Sequence, residues 1–204
     1  MIAILWILLA YGSYRIWWQL QLLDPDPRLR EVLQVTYCKW QHVIAFSYVL
    51  LFQAASSNQD HSIMQLLQTF IISSLLLAAW TDYYTQLIQD IIYLPGIASG
   101  ILWLIYYNPG ANILINLIIF VAIQLFIFRN LYGDSDCLAY ILCAMYLSGC
   151  GKSLIDYLLF MLLTVLIDLI VQIRKKNISH GKLRKPGPLI PYIAGAMLLY
   201  RFIL

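Results

Sequence analysis

Four aspartates are the residues of this sequence whose type and position suit acid–base chemistry. Asp82 closes a long apolar run, Asp90 precedes the next one, and Asp134 and Asp136 stand just ahead of another. Burial raises the pKa of a carboxyl, and repulsion between two close carboxylates keeps one of them protonated. Such a pair can hydrolyse a peptide bond, because one carboxylate activates water while the other acid polarises the carbonyl.

The positions of these acids relative to the predicted helices differ. Asp82 falls at a helix C-terminus, where the helix dipole disfavours negative charge, whereas Asp134 and Asp136 fall at a helix N-terminus, where it favours negative charge. The residues alone do not establish that the carboxyls meet. Two interpretations therefore stay open at this point, a catalytic pair and ordinary solvated acids at a membrane interface.

The other polar side chains offer weaker candidates. Asp168 lies deep in an apolar run, where a carboxyl needs a partner, so we expect it to pair with a neighbouring helix or to stay protonated. The four cysteines form no CxxC pair, and we expect those in apolar runs to be small buried hydrophobes. The sequence predicts no metal site and no cofactor. The cysteines are Cys38, Cys137, Cys143 and Cys150.

The composition indicates the environment of these residues. Hydrophobic residues make up 62% of the 204-residue chain and charged residues only 11%, with a mean hydropathy of +0.76. A soluble domain carries about 25% charged residues, so the surface of this chain is predicted to face lipid. The net charge of +3 is small and the basic residues are clustered by position, which argues against nucleic-acid binding.

Polar breaks divide the chain into eight apolar runs, which predict an all-α, polytopic membrane helix bundle with about seven or eight transmembrane helices. The runs cover about 2–20, 43–56, 63–82, 91–107, 112–128, 137–150, 154–173 and 187–204. Two of them, 43–56 and 137–150, are short for a full crossing of the bilayer. We expect residues 1–204 to form a single integral membrane domain.

The distribution of Lys and Arg predicts the orientation of the spans. If the spans alternate, the segments 24–42, 83–90, 129–136 and 174–187 lie on one side and hold ten of the 13 basic residues. That side, with all four aspartates, is predicted to be cytoplasmic, and both termini to lie outside. The basic cluster near 174–185 is expected to contact anionic lipid head groups. These ten residues are Arg28, Arg30, Lys39, Arg129, Arg174, Lys175, Lys176, Lys182, Arg184 and Lys185.

The segment from Asp82 to Pro95 resembles the first catalytic segment of the type IV prepilin peptidases, which are membrane aspartic peptidases of the GxGD type. In that family an Asp at the end of a span precedes a short loop and a helix with a further Pro. Gln89 stands where the loop usually has Pro. The positions in register are Asp82, Leu87, Ile88, Asp90 and Pro95.

The segment from Leu131 to Ala139 is similar to the GxGD signature of the same family, in either of two registers. In the favoured register Gly133 and Asp134 are the Gly-Asp pair, and Leu131 replaces the first Gly. In the rival register Asp136 is the catalytic acid, with Gly133 as the first Gly and Ser135 in place of the second. The Gly keeps the backbone close to the reacting centre.

A third similarity lies in the basic residues followed by Pro186 to Ala196, so the resemblance covers about 65–204. It implies a peptidase core that cleaves the leader of prepilin-like precursors at the cytoplasmic membrane face. The substrate has a short basic leader ahead of an apolar helix, and no cofactor is required. Many members carry a cytoplasmic domain with two CxxC pairs and also methylate the new terminus. Here that interval holds Cys38 alone, which is typical of a short, peptidase-only form.

Two other classes of protein are compatible with intramembrane acids. A non-enzymatic transporter or assembly scaffold would use Asp168 and the interfacial acids as ion or structural sites, although repeated halves, frequent in transporters, are not seen. A presenilin-like protease would have its first acid in a Tyr-Asp pair, whereas Asp82 follows Thr81. The sequence therefore favours the prepilin peptidase interpretation.

Overall fold

The structure, a computed structural model, describes residues 40–55, 62–85, 88, 90–178 and 188–203, together with scattered positions between 4 and 27. All regular secondary structure in these residues is helical, which confirms the predicted all-α class. A short 3₁₀ turn at Asp90–Tyr93 precedes α3, and a π-helical segment at Gln124–Phe128 joins α4 to α5. The helices are α1 Trp40–Ala55, α2 Ser62–Thr85, α3 Leu94–Tyr107, α4 Ala111–Ile123, α5 Arg129–Tyr132, α6 Asp134–Gly149, α7 Leu154–Ile178 and α8 Ile190–Ile203.

Helix α6 is the centre of the bundle. Every residue from Ala139 to Gly149 is buried, and α6 contacts α2, α3, α4, α7 and α8. The apolar run 137–150 is short for crossing a bilayer because a 16-residue helix is only about 24 Å long. Its apolar character is explained by packing against protein on all sides.

Small residues let α3 approach its neighbours closely. A Cβ at Gly96 would lie 2.8 Å from Cβ of Ser74 on α2, and one at Gly100 would lie 3.0 Å from Cε of Met145 on α6. Two glycines four residues apart are a known device for close packing of membrane helices. Through these contacts α3 packs against both α2 and α6. The end of α2 with Asp82 and the start of α6 with Asp134 and Asp136 therefore lie near the start of α3.

Within the described residues, four stretches are long and apolar enough to cross a membrane, which is compatible with a multi-pass membrane protein. They are Ile63–Tyr83, Asp90–Tyr107, Ala111–Tyr132 and Leu154–Arg174. Val43–Phe52 and Ile190–Phe202 are shorter apolar helices. Large apolar side chains on the outer faces of α4 and α7 are exposed, and a lipid environment would cover them. The larger number of seven or eight spans stays a prediction.

The break predicted at residues 129–136 is much shorter in the structure. Helix continues through Arg129–Tyr132, and α6 begins at Asp134, so that only Gly133 interrupts the two. The predicted break at Asn108–Ala111 is close to the observed one, where Asn108 takes a left-handed conformation with φ of 49° and ends α3.

Candidate functional site

Asp82 and Asp136 lie on two helices that pack against each other. Asp82 is in the last turn of α2 and only 7% exposed. Asp136 is in the first turn of α6 and half-buried. Because α2 contacts α6 and the 3₁₀ turn contacts both, these two carboxyls belong to one end of the bundle.

The carboxyl of Asp82 accepts a hydrogen bond from the start of α8. The backbone N–H of Ile190, which is 108 residues further along the chain, donates to Oδ2 of Asp82 at 3.0 Å. Ile190 is the first residue of α8, and the first N–H groups of a helix have no partner within the helix. A carboxylate is a favourable partner there because the helix dipole makes this end positive. The third segment of the resemblance therefore meets the first in space.

Asp136 has an environment that favours its neutral form. Burial, followed by the nearby charge of Asp82, raises the pKa of the Asp136 carboxyl to about 7. Within the described part of the chain no hydrogen bond reaches this carboxyl. Near neutral pH Asp136 therefore keeps its proton to a much larger extent than an ordinary carboxyl does.

Asp134 lies in a different environment. Its carboxyl forms a two-point ion pair with Arg129, with Nε to Oδ1 at 2.7 Å and Nη2 to Oδ2 at 2.7 Å. The side chain of Asp134 is 55% exposed. The hydrogen bonds from Arg129 lower the pKa of Asp134 below its ordinary value. This acid is thus charged, solvated and already paired.

Gly133 supports the site through its backbone. Its φ of 115° lies in a region that L side chains rarely adopt, and this conformation turns the chain from α5 into α6. A Cβ at this position would lie 3.9 Å from Oδ2 of Asp136. Gly133 is therefore the small residue beside Asp136, and Ser135 is half-buried between the two acids in sequence.

The remaining predicted site residues lie at the start of α3. Asp90 is exposed and opens the 3₁₀ turn. Pro95 is the second residue of α3, where a missing N–H costs no helical hydrogen bond. Several predictions lie outside the described residues. They concern Leu87 and Gln89 of the loop, Cys38, and the segment 179–187 with its basic residues and Pro186.

Sequence reasoning missed the contact between α6 and the π-helical segment. The thiol of Cys137 donates to the backbone carbonyl of Gln124 at 3.4 Å, and Nε2 of the fully buried Gln124 contacts Sδ of Met161 at 3.2 Å. A π-helical segment in an α-helix often marks a functional region. The signal in the sequence was a single polar Gln124 inside the apolar run 112–128.

The acids of α7 have structural partners away from this site. Asp156 accepts hydrogen bonds from the backbone N–H and the hydroxyl of Ser153, which caps the start of α7, and from the hydroxyl of Tyr200. Asp168 accepts a hydrogen bond from Gln172 at 2.7 Å. The partner of Asp168 is therefore on its own helix rather than on a neighbouring one.

No known protein family matches this sequence, and comparisons with characterised proteins and with solved structures find no similar protein. The chemistry of the site is therefore argued from its residues. In the described ranges no three His, Cys, Asp or Glu side chains are grouped to hold a metal ion. What this end of the bundle does contain is two carboxyls on contacting helices, Asp82 and Asp136, and burial together with the charge of Asp82 raises the pKa of Asp136. A carboxyl pair of this kind is suited to general acid–base catalysis with water.

Proposed function

We propose that this chain is a membrane aspartic endopeptidase whose catalytic pair is Asp82 and Asp136. One observation carries the proposal: Asp82 and Asp136 lie on contacting helices at one end of the bundle, where burial and the charge of Asp82 raise the pKa of Asp136. Asp134, the acid of the register that the sequence favours, is exposed and paired with Arg129. The rival register therefore has the better physical support.

The two acids have different roles in the proposed reaction. The N–H of Ile190 stabilises negative charge on Asp82, so Asp82 is the base that takes a proton from water. The resulting hydroxide forms a bond to the scissile carbonyl carbon, and Asp136 gives its proton to the carbonyl oxygen. The C–N bond of the neutral tetrahedral intermediate then breaks. Its nitrogen takes the proton held by Asp82, and one hydroxyl proton returns to Asp136, which restores the pair.

The proposed substrate is a prepilin-like precursor with a short basic leader followed by an apolar helix. This substrate class rests on the resemblance of three segments of the chain to prepilin peptidases. An apolar substrate helix would lie in the bilayer against the exposed apolar faces of α4 and α7. Its junction with the leader would then reach the membrane boundary, where a polar reaction with water is possible.

We further propose seven or eight spans in the inner or plasma membrane, with the acid pair facing the cytoplasm and both termini outside. The support is the positional bias of Lys and Arg in the sequence. In the part of the chain that the structure describes, four stretches meet the length and apolarity of a span. The shorter helices α1, α6 and α8 would also cross the bilayer, with neighbouring helices shielding their ends from lipid.

A non-enzymatic assembly scaffold is the second candidate, and one observation favours it. The hydrogen bond from Ile190 makes Asp82 a structural cap for α8, which is sufficient reason for an acid at this position. In a scaffold Asp82 would matter for stability only. In a peptidase its charge would also matter for the reaction.

The test compares cleavage by Asp82→Asn and Asp82→Ala with cleavage by the wild type. Membranes containing each variant are incubated with a precursor that carries a basic leader and an apolar helix, and mass spectrometry locates the cut. An Asn oxygen can still accept the N–H of Ile190, so Asp82→Asn keeps the cap and removes the base. We expect it to fold normally and to cleave nothing, while Asp82→Ala also loses stability.

Asp168→Asn is the matched control, because it neutralises another acid of an apolar helix whose partner is Gln172. It is expected to cleave at the wild-type rate. Wild-type cleavage by Asp82→Asn would overturn the peptidase proposal. Loss of stability in Asp82→Ala without any cleavage by the wild type would favour the scaffold.

A further inference from the structure

Tyr93 lies between the two helices that carry the acid pair. It is the last residue of the 3₁₀ turn at Asp90–Tyr93 and is completely buried. This turn packs against α2, which ends shortly after Asp82, and against α6, which begins at Asp134. The phenol ring is therefore enclosed at the same end of the bundle as Asp82 and Asp136.

The hydroxyl of Tyr93 has no hydrogen-bond partner in the described residues. Buried tyrosine hydroxyls usually find a partner, because a buried polar group without one is costly. A buried donor that the folded chain leaves unused is available to a ligand. Its surroundings identify the kind of ligand.

Acidic residues surround the turn that Tyr93 ends. Asp90 opens the turn, and the turn contacts both α2, which carries Asp82, and α6, which carries Asp136. The three carboxyls come from two sequence segments that meet around the 3₁₀ turn. Tyr93 is therefore a buried O–H donor on a turn that packs against both acid-bearing helices.

We propose that the Tyr93 hydroxyl is a third catalytic group, which donates a hydrogen bond to the oxygen of the scissile carbonyl as that carbon becomes tetrahedral. This inference rests on the proposed peptidase function. The phenol keeps its proton throughout, so it adds no step to the proton transfers between water, Asp82 and Asp136. Its contribution is a preorganised donor where negative charge develops.

A donor of this kind acts on the transition state more than on the bound substrate. Tyr93→Phe removes the hydroxyl and keeps the ring. We expect kcat for precursor cleavage to fall by about 100-fold or more with little change in KM, since loss of one such donor commonly costs about 10²–10³ in kcat. The same variant is expected to bind a substrate peptide normally. Binding of a peptide whose scissile amide is replaced by a tetrahedral hydroxyl-bearing carbon should weaken about tenfold or more.

Tyr146→Phe is the matched control. Tyr146 is also a buried tyrosine, and it lies on α6 ten residues beyond Asp136, which is about 15 Å along the helix. It is expected to keep kcat and binding of the tetrahedral analogue. Thermal unfolding of both variants in detergent measures any loss of packing.

The outcomes separate this inference from the proposed function. Wild-type kcat in Tyr93→Phe, while Asp82→Asn and Asp136→Asn are inactive, would overturn the role of Tyr93 and leave the peptidase proposal standing. Equal losses in Tyr93→Phe and Tyr146→Phe would also overturn it, because both would then report packing. An active Asp82→Asn would instead remove the peptidase proposal itself. If Tyr93→Phe unfolds, Tyr93→Leu, which also lacks a hydrogen-bond donor, replaces it. Weaker binding of the tetrahedral analogue by Tyr93→Leu, with substrate-peptide binding kept, supports the inference, and unchanged analogue binding overturns it.

Discussion

The choice between Asp136 and Asp134 as the second acid can be made by neutralising each in turn. Asp136→Asn removes the proton that the mechanism places on the substrate carbonyl, whereas Asp134→Asn only breaks an exposed ion pair with Arg129. The two substitutions are chemically identical and two residues apart on one helical turn. Their difference therefore isolates the environment of each carboxyl.

The expected magnitudes follow from these environments. General acid catalysis contributes about 10²–10⁴ in rate, so Asp136→Asn is expected to lose at least about 10² in kcat/KM. Asp134→Asn should stay within about twofold of the wild type, because exposed ion pairs contribute little. Thermal unfolding should be nearly unchanged in both variants.

The pH dependence gives an independent measurement. With a pKa of about 7 for Asp136, its protonated fraction falls from about nine tenths at pH 6 to about one tenth at pH 8. The proposed reaction requires this proton, so activity is expected to fall as the pH rises through about 7, by about tenfold at pH 8 relative to pH 6. If Asp134 were the acid, Arg129 would hold its pKa below the ordinary range. It would then be ionised at both pH values, and no such loss would appear.

The assay is cleavage of a precursor that carries no group titrating between pH 6 and pH 8, measured in detergent or liposomes. Asp168→Asn serves as the control for the profile and should reproduce that of the wild type. Wild-type activity in Asp136→Asn, or a flat wild-type profile between pH 6 and pH 8, would refute the assignment of Asp136. Inactivity of Asp134→Asn with an active Asp136→Asn would select the other register.

Three further substitutions test backbone conformation, close packing and helix capping in the bundle. Gly133→Ala should lower both the melting temperature and the cleavage rate, because a side chain at φ 115° costs about 1–3 kcal/mol; an unchanged melting curve would contradict this. Gly149→Ala should lower the stability of the fold by about 1–3 kcal/mol, because the added Cβ would clash with the indole ring of Trp103. Thermal unfolding in detergent measures this loss. Gly110→Ala is the control, since its added Cβ meets nothing within 4 Å. Asp156→Ala should cost about 1 kcal/mol by removing the cap formed with Ser153 and leave kcat unchanged; a loss of kcat would show that the two ends of the bundle are coupled.

Much of the fold could be predicted from the sequence, because apolar runs and polar breaks report directly on helices in lipid. The break at Asn108 is an example, since the left-handed residue ending α3 follows the last apolar residues of the run. The central place of α6 could not be predicted. Its apolar residues would suit lipid or protein equally well, and only the packing of α2, α3, α4, α7 and α8 around it distinguishes the two.

The site was predictable only in part, for a geometric reason. Sequence order places Asp134 and Asp136 in the same turn, but it does not say which carboxyl faces α2 and which faces solvent. That is decided by the helical turn before Gly133, which brings Arg129 next to Asp134. The sequence predicted a polar break at 129–136, so the helix at Arg129–Tyr132 was not expected. The role of Ile190 was also hidden, because backbone N–H groups leave no signal in a sequence.

The hydrogen bond between Ile190 and Asp82 also explains why three distant segments meet at one place. A base in a peptidase must be ionised while it is largely shielded from water, and in lipid surroundings an unpaired charge is expensive. The N-terminus of α8 supplies N–H groups and a positive helix dipole to Asp82 without introducing a cation that would also draw the proton from Asp136. Arg129, the basic side chain nearest in sequence to the pair, is held instead by Asp134. The ion pair that leaves Asp134 exposed and charged therefore also keeps a positive charge away from Asp136, whose proton the proposed reaction needs.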